Sequence, residues 1–383
     1  DNGTPYLLTG GNMGTEVEVS TLEELESYLG DNDEPLIVKL NSQIKNDRLA
    51  EISIASNKTF IGTENASLEN VQISISGVRN VIVKDLTFSK VRSADAIEIN
   101  GDATNIWIDH CELFSDREHD DEEDYYDGLL DIKNESSFIT VSWCNFHDHR
   151  KGILIASGDD SDQDSIQRIT FHHNYFHNVG SRLPSIRFGK AHVFNNYYKD
   201  CETAINTRMN ACVRVEKNYF QDVGTGVGML YSPIPGSVEL IDNIFESSGY
   251  SDEPTCELDV PYEYSSFLDN AEDLPTLILA NIREVEIDTP DMIFNNENFN
   301  YQFDCYPNPS NGKITIAFDM PENNDITITL FDLLGHQIGV IKNEKIRMGA
   351  NKIEFNTTDL KPGIYLVQLS SGNKLLNKRL IIQ

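Results

Sequence analysis

From Val81 to Phe245 the chain repeats one phrase: a few residues alternating apolar and polar, then a polar turn residue, then an aromatic or apolar pair. It reads Val81-Ile-Val-Lys-Asp-Leu-Thr-Phe88, Ile106-Trp-Ile-Asp-His-Cys111, Ile139-Thr-Val-Ser-Trp-Cys-Asn-Phe146 and Ile169-Thr-Phe-His-His-Asn-Tyr-Phe176. His192-Val-Phe-Asn-Asn-Tyr-Tyr198, Val213-Arg-Val-Glu-Lys-Asn-Tyr-Phe220 and Val238-Glu-Leu-Ile-Asp-Asn-Ile-Phe245 complete it. Period-two alternation marks strands with one buried face. The turn position holds Cys111, Cys144, Asn174, Asn196, Asn218 and Asn243, at gaps of 33, 30, 22, 22 and 25 residues. Such a repeat, with no helical pattern between strands, predicts a parallel solenoid rather than a doubly wound α/β sheet.

An all-β, right-handed parallel β-helix fits best. Equivalent positions then stack at about 4.8 Å, the asparagines form a ladder of amide hydrogen bonds, and the aromatics stack beside it. The two long gaps insert loops on a rigid stack, where functional residues commonly lie. Ser20 to Leu29 supplies an N-terminal cap for the open end: Thr21 and Glu24 make a capping box, and Leu22, Leu25 and Leu29 share a helical face. The periodicity fades after Phe267, and residues 250–300 are open between a return over the solenoid and a plain link. From residue 304 a turn cluster, Tyr306-Pro-Asn-Pro-Ser-Asn-Gly312, leads into alternating strands at 314–318, 326–331, 352–355 and 364–369, a small C-terminal β-sandwich. The expected domains are 1–285 and 304–383, joined by a linker at 286–303.

Composition narrows the partners. Asp and Glu number 62 against 30 Lys and Arg, a formal charge of −32, which repels nucleic acid and anionic membranes. The same charge disfavours a polyanionic substrate, unless metal ions bridge it to the protein. No apolar run is long enough for a membrane span. No signal peptide is visible, and Asp1-Asn-Gly-Thr4 reads as a polar mature end. None of the six cysteines sits in a zinc-type spacing. An even count fits disulfides in an oxidising compartment, and buried thiols fit as well. Cys111 and Cys144, at one ladder position, are expected as a bridge or a thiol pair; Cys201 with Cys212 and Cys256 with Cys305 are weaker pairings.

The chemistry concentrates between Asp95 and Gly189. Asp95 lies a coil before Asp127 and Asp131, and stacking would bring the three carboxylates to one face. Oxygen donors without nearby His or Cys pairs suit calcium rather than zinc or copper, while a solvated acidic loop remains open on spacing alone. Lys151, Arg182 and Arg187 follow on successive coils. Arg grips carboxylates in bidentate fashion and Lys acts as a point charge; pairing with the surplus acids is the alternative. His172, His173, Asp109 and His110 read as packed, hydrogen-bonded groups.

Trp107 to Cys111, Asp127-Gly-Leu-Leu-Asp-Ile132, Ile139 to Trp143, His147-Asp-His-Arg-Lys151, Ile169 to Phe176 and Arg182-Leu-Pro-Ser-Ile-Arg-Phe-Gly189 together resemble the pectate lyases of polysaccharide lyase family 1, over roughly residues 6–245. The resemblance implies calcium dependence and β-elimination of de-esterified polygalacturonate. It implies Asp95, Asp127 and Asp131 as calcium ligands, Lys151 and Arg187 as substrate-carboxylate binders, and Arg182 as the Brønsted base. Ser93 stands where the family often has a further acid. Because a free guanidinium does not deprotonate near neutrality, an Arg base implies activity rising on the alkaline side. A pectin lyase acting on methylated substrate and a non-catalytic carbohydrate-binding β-helix are the competing readings. The tail, Tyr306 to Gly312 with Pro362-Gly-Ile-Tyr365 and the basic end Lys374 to Arg379, resembles a type A sorting domain of the Por (type IX) secretion system. That implies a secreted or cell-surface protein whose partners are pectate and the secretion machinery. A monomer is expected.

Overall fold

The computed structural model describes residues 8–282 except 31, 64 and 123, and residues 303–382 except 309, 311, 321–322, 333–336, 359, 361–362 and 372–373. All of the expected linker except Phe303 lies outside the described residues, as do Tyr6, Pro309, Asn311 and Pro362 of the matched stretches. The chain divides into two compact units, Asp1–Glu286 and Ile287–Gln383.

The first unit is a right-handed parallel β-helix. A ten-stranded sheet takes one strand from each coil, from Thr15–Val19 to Ser237–Ile241, and a second, larger sheet collects the remaining strands of the coils. The repeat legible in the sequence is the strand of the first sheet. In the coil that carries Arg182, Arg168–His172 is followed by Tyr175–Ser181 and Ser185–Arg187. Register is kept from coil to coil: Ile139, Ile169, Ala191, Val213 and Val238 are successive partners and all face the core.

The corner after this strand explains the repeated turn residue. His110, Trp143, His173, Asn195, Lys217 and Asp242 all hold φ between 48° and 56°, the left-handed region that bends the chain sharply. The residue that follows each one forms the ladder. Asn174, Asn196 and Asn218 each donate Nδ2–H to the Oδ1 of the next asparagine at 2.9–3.0 Å, and each backbone N–H bonds that same oxygen. Cys111 and Cys144 continue the ladder as sulfur: the Cys111 N–H donates to Cys144 Sγ at 3.4 Å, and the Cys144 N–H to Asn174 Oδ1 at 3.0 Å. They are a thiol pair, buried and unbridged. Beside the ladder, Phe146, Phe176, Tyr198, Phe220 and Phe245 stack at 4.6–5.0 Å between ring centres.

The disulfide joins Cys212 to Cys256, so the pairings of Cys201 with Cys212 and Cys256 with Cys305 are corrected; Cys201 and Cys305 are buried thiols. Spacing misled because Cys256 belongs to a segment that returns across the outer face of the ten-stranded sheet. There Cys256 N–H bonds Val238 O, Leu258 N–H bonds Glu239, and Tyr264 Oη bonds Glu216. Asp269 then meets His173 Nε2 at 2.8 Å, and the helix Leu274–Leu279 covers Tyr175 and Tyr197. Residues 251–282 therefore wrap over the solenoid. At the other end the helix Leu22–Gly30 buries Leu25 and Leu29, with Glu24 and Thr21 exchanging capping hydrogen bonds.

The second unit is an antiparallel sandwich. A three-stranded sheet and a four-stranded one share a core of Ile314, Ile316, Phe318, Ile328, Val367 and Leu380. Beyond the four expected strands it contains Phe303–Tyr306, Gln337–Ile346 and Lys374–Ile382. Among the described residues, no helix is long and apolar enough to cross a membrane.

Two outcomes follow. Asn196→Ala removes an amide with partners on both sides and strands buried backbone groups, each worth about 1–3 kcal/mol; a loss of about 2–4 kcal/mol in chemical denaturation is expected. Burial lowers His149 and His177 to about 4, and His172 and His192 to about 3, from the ordinary 6.5. Below pH 6.5 the unfolded chain takes up protons that the folded one refuses, so stability falls as pH drops from that value towards 3. His147 runs the other way. Burial lowers it, but its bonds to Asp148 and Glu112 raise it to about 9, so its contribution is lost as pH rises through 9. Thermal melts across pH should show the acid-side decline as the larger of the two.

Candidate active site

Parallel register gathers the sequence-predicted residues at one corner of the second sheet. The Ala96 N–H bonds Gly128 O, the Leu129 N–H bonds Gly152 O, and the Ile153 N–H bonds Arg182 O. Asp95, Asp127, Lys151 and Arg182 thus flank the same bend on four consecutive coils. Arg187 lies on the coil of Arg182, not one further on, and its register partner on the next coil is Arg208. Neither Asp95 nor Asp127 is in a strand; each precedes one, Ile97–Asn100 and Leu130–Ile132.

Two of the three aspartates converge. A Cβ built on Gly128 would lie 2.5 Å from Asp131 Oδ1 and 2.7 Å from Asp95 Oδ1, so both oxygens crowd a space that only glycine leaves open. Asp95 Oδ1 accepts the Gly128 N–H at 2.9 Å. Lys133 Nζ lies 3.1 Å from Asp95 Oδ2 and 3.0 Å from Asp131 Oδ2. Asp131 Oδ1 is buried with no hydrogen-bond partner among the described residues. Burial, and then the neighbouring Asp95, push the Asp131 carboxyl up to about 7; burial also raises Asp95. Lys133 is held charged by the pair, against its burial. The pair is short of positive charge and has an oxygen to spare.

Asp127 does not join the pair. Its Oδ1 accepts from Lys151 Nζ at 2.9 Å, and Lys151 also bonds Asp124. Burial lowers the Lys151 ammonium, but the bonds to Asp124 and Asp127 outweigh it and raise the group, so it stays charged. The Asp127 carbonyl accepts from His149 Nε2 at 2.9 Å; burial keeps that ring neutral, and it pins the Asp127 backbone. Among the described residues, the group of three potential ligands within 4.8 Å is Asp116, Glu118 and His119; Asp116 is already engaged by Lys90 and Tyr126, and His119 by Glu122.

The two arginines differ. Arg187 is buried; its Nε donates to Asp159 at 2.7 Å and its Nη1 to the Ala156 carbonyl at 3.1 Å, and its Nη2 has no hydrogen-bond partner among the described residues. Arg208 Nη2 reaches the same Asp159 oxygen at 3.3 Å. Arg182 holds φ at 66°, and its guanidinium makes no hydrogen bond or ion pair with a described residue. It is the one predicted cation of this corner without a partner among the described residues. Ser93 occupies a turn at φ 58° and adds no carboxylate.

Sequence reasoning missed Lys133, Gly128, Asp159 and Arg208. Lys133 falls two residues after Asp131, the spacing that returns a side chain to the same face, and Arg208 falls 21 residues after Arg187, close to the coil repeat. Asp159 sits in a loop and carries no such signal.

A solenoid with acids on two coils and cations on the next two has the build of a carbohydrate-active β-helix. A pectate lyase family model matches residues 9–272 and a secretion system C-terminal sorting domain model matches residues 304–383; the chain belongs to the pectate lyase family. A pectate trisaccharide-lyase of Bacillus licheniformis is 37% identical over 286 residues, 71% of this chain and 82% of that protein. Pectate lyase A of Aspergillus niger is 40% identical over 238 residues, 61% of this chain and 72% of that protein. A pectate lyase from Bacillus sp. N165, solved in complex with trigalacturonate, superposes with a TM-score of 0.65 at 30% identity, covering 72% of this chain and 94% of that one. Pectate lyase C of Erwinia chrysanthemi, solved with Ca2+, shares the fold at 20% identity and a TM-score of 0.61.

The crowding at Gly128 is measurable. Gly128→Ala should cost about 1–3 kcal/mol by overpacking. Combined with Asp131→Ala, which removes the nearer oxygen, it should cost less than the sum of the two single changes in a double-mutant cycle of denaturation energies.

Proposed function

We propose that the protein is a calcium-dependent lyase that cleaves α-1,4-linked polygalacturonate by β-elimination and leaves 4,5-unsaturated oligogalacturonides. The observation that carries this reading is the buried, unsatisfied Asp131 oxygen beside Asp95, placed two coils from an unpartnered Arg182 at the same bend.

Asp95 and Asp131, with Asp127 from the adjoining turn, are the residues that would hold calcium. An all-oxygen donor set with a spare buried oxygen fits a hard cation. Calcium, when bound, supplies positive charge against both the protein carboxylates and the uronate, which lets an acidic protein hold a polyanion and favours charge building up on the C6 carboxylate.

The chain's own groups do the rest. Lys151 and the free Nη2 of Arg187 take the C6 carboxylate, where their charge counts most as the C5–H bond breaks. Arg182, in the deprotonated form that alkaline pH favours, accepts the C5 proton. The electron pair of that bond becomes the C4=C5 double bond as the C4–O bond breaks, and the departing oxygen takes a proton from solvent and leaves with the next sugar. Arg182 suits this role through position: the bend fixes its backbone, and no described acid holds its guanidinium. No water is needed as nucleophile, so the product carries the double bond that a hydrolase would not make. The C-terminal sorting domain marks the chain for secretion, which puts the enzyme where pectin is found.

With polygalacturonate, ultraviolet absorbance of unsaturated product should appear in calcium, stop on chelation, and return when calcium is restored. Arg182→Lys should lower kcat by about 10²-fold or more, the scale seen when one group that stabilises the transition state is removed. Undiminished turnover in chelator, or equal rates on fully methylated pectin, would defeat the assignment.

A further inference from the structure

A hollow lies away from the catalytic corner, on the outer face of the ten-stranded sheet. Its floor is the outward column Thr140, Thr170 and His192, register partners on three coils. One side is formed by Phe138, Arg168 and Lys190, the other by the returning segment Leu258 to Tyr262. The Cys212–Cys256 disulfide ties that segment to the strand next to Lys190, whose register partner is Cys212. Tyr262 closes the hollow from above: its Oη lies 2.9 Å from both Thr170 Oγ1 and His192 Nδ1. Burial keeps His192 neutral, so its Nε2–H faces Glu216 at 3.3 Å and its Nδ1 accepts from Tyr262. The wall is covalently and hydrogen-bond anchored, so the hollow is a built feature of the fold.

Its charge is out of character. Arg168 and Lys190 are direct register partners, and like charges at such positions repel. Neither forms an ion pair with a described residue, although the chain carries 62 acids. Arg168 spends Nη1 on the carbonyls of Ser165 and Gln167, which aims the guanidinium without neutralising it. Phe138 beside them is 43% exposed, a large apolar ring left in water. Two unneutralised cations, an exposed ring and a row of hydroxyls form a recognition set for a sugar acid: carboxylate on Arg168 and Lys190, the C–H face of the pyranose on Phe138, hydroxyls to Thr140 and Thr170. Asp259, exposed on the returning segment, would order a uronate with its hydroxyls towards it and its carboxylate away.

We propose that this hollow is a second, non-catalytic site for one uronate unit of a polygalacturonate chain, holding the enzyme on the polymer by charge without calcium. The substrate class rests on the proposed function; the site itself rests on the geometry above. Occupancy of both sites by one polymer would raise avidity without altering the chemistry.

The test is affinity gel electrophoresis of the full chain in chelator, with polygalacturonate or fully methylated pectin cast in the gel. Polygalacturonate should retard the parent protein, and methylated pectin should not. Arg168→Ala/Lys190→Ala should weaken retardation at least about tenfold, since two charge-assisted hydrogen bonds are lost, and Phe138→Ala should weaken it at unchanged melting temperature. In calcium, kcat and KM on trigalacturonate should be the same for all these proteins, while KM on the polymer rises for the variants. Equal retardation of the parent and the double variant, or equal retardation by methylated pectin, overturns the site. A parent that makes no unsaturated product but is still retarded would refute the proposed function and leave the second site standing.

Discussion

The parallel register between coils is the constraint on which everything else depends. Each coil is too thin to bury a core alone, so its apolar residues are removed from water only when the next coil lies on it in step. The ladder of Asn174, Asn196, Asn218 and Asn243 enforces that step, because the bond from one amide to the next forms only if the neighbour occupies the same corner. A slip by one residue would turn the stacked rings of Phe146 to Phe245 outward. It would also scatter Asp95, Asp127, Lys151 and Arg182, which flank one bend only because residues 24 to 32 apart in sequence are one rung apart in space.

Register also explains how charge is managed. On a chain of net charge −32, cations are scarce and most near the active corner are spoken for: Lys133 by Asp95 and Asp131, Lys151 by Asp124 and Asp127, Arg187 and Arg208 by Asp159. Buried acids beside one another are costly, as the raised Asp131 shows, and Lys133 only partly relieves them. In the proposed function a divalent ion would meet this deficit, relieving the paired acids and bridging an acidic protein to an acidic substrate.

Much of this was legible in the sequence, because a solenoid writes its geometry as a period. The ladder positions, the stacked aromatics and the coil of Asp95, Asp127, Lys151 and Arg182 could be placed by counting, and the capping helix by its own pattern, whereas Arg187 lies one coil earlier than expected. What counting could not supply was the third dimension of the irregular parts. Asp159 and Asp124 reach Arg187 and Lys151 from loops whose path no repeat dictates. Nothing in the sequence singles out Gly128, yet the two aspartate oxygens beside it leave no room for a Cβ. The returning segment, with Tyr262, Tyr264 and Asp269, lies where the period has ended, so its contacts with Thr170, Glu216 and His173 left no trace in the spacing.

The cysteines show why position in the fold, not spacing, decides their chemistry. Cys111 and Cys144 are adjacent rungs, yet each sulfur is already used in the ladder and turned towards main-chain carbonyls, Val83 and Asp109 for one, Ile108 and Ser142 for the other. Burial raises the Cys144 thiol well above its ordinary range and Cys201 to about 12, which leaves both inert. Cys212 and Cys256 have no such role. One belongs to the regular stack and the other to a segment without a period, so a covalent bond fixes what register cannot. Closing the 44-residue separation between them restricts the unfolded chain by about 4 kcal/mol in the loop-entropy account. The cross-link suits an oxidising, extracellular setting, in keeping with the sorting domain at the other end of the chain. It lies beside the hollow lined by Arg168 and Lys190, so the same bond that secures the end of the solenoid also fixes the wall of a charged pocket.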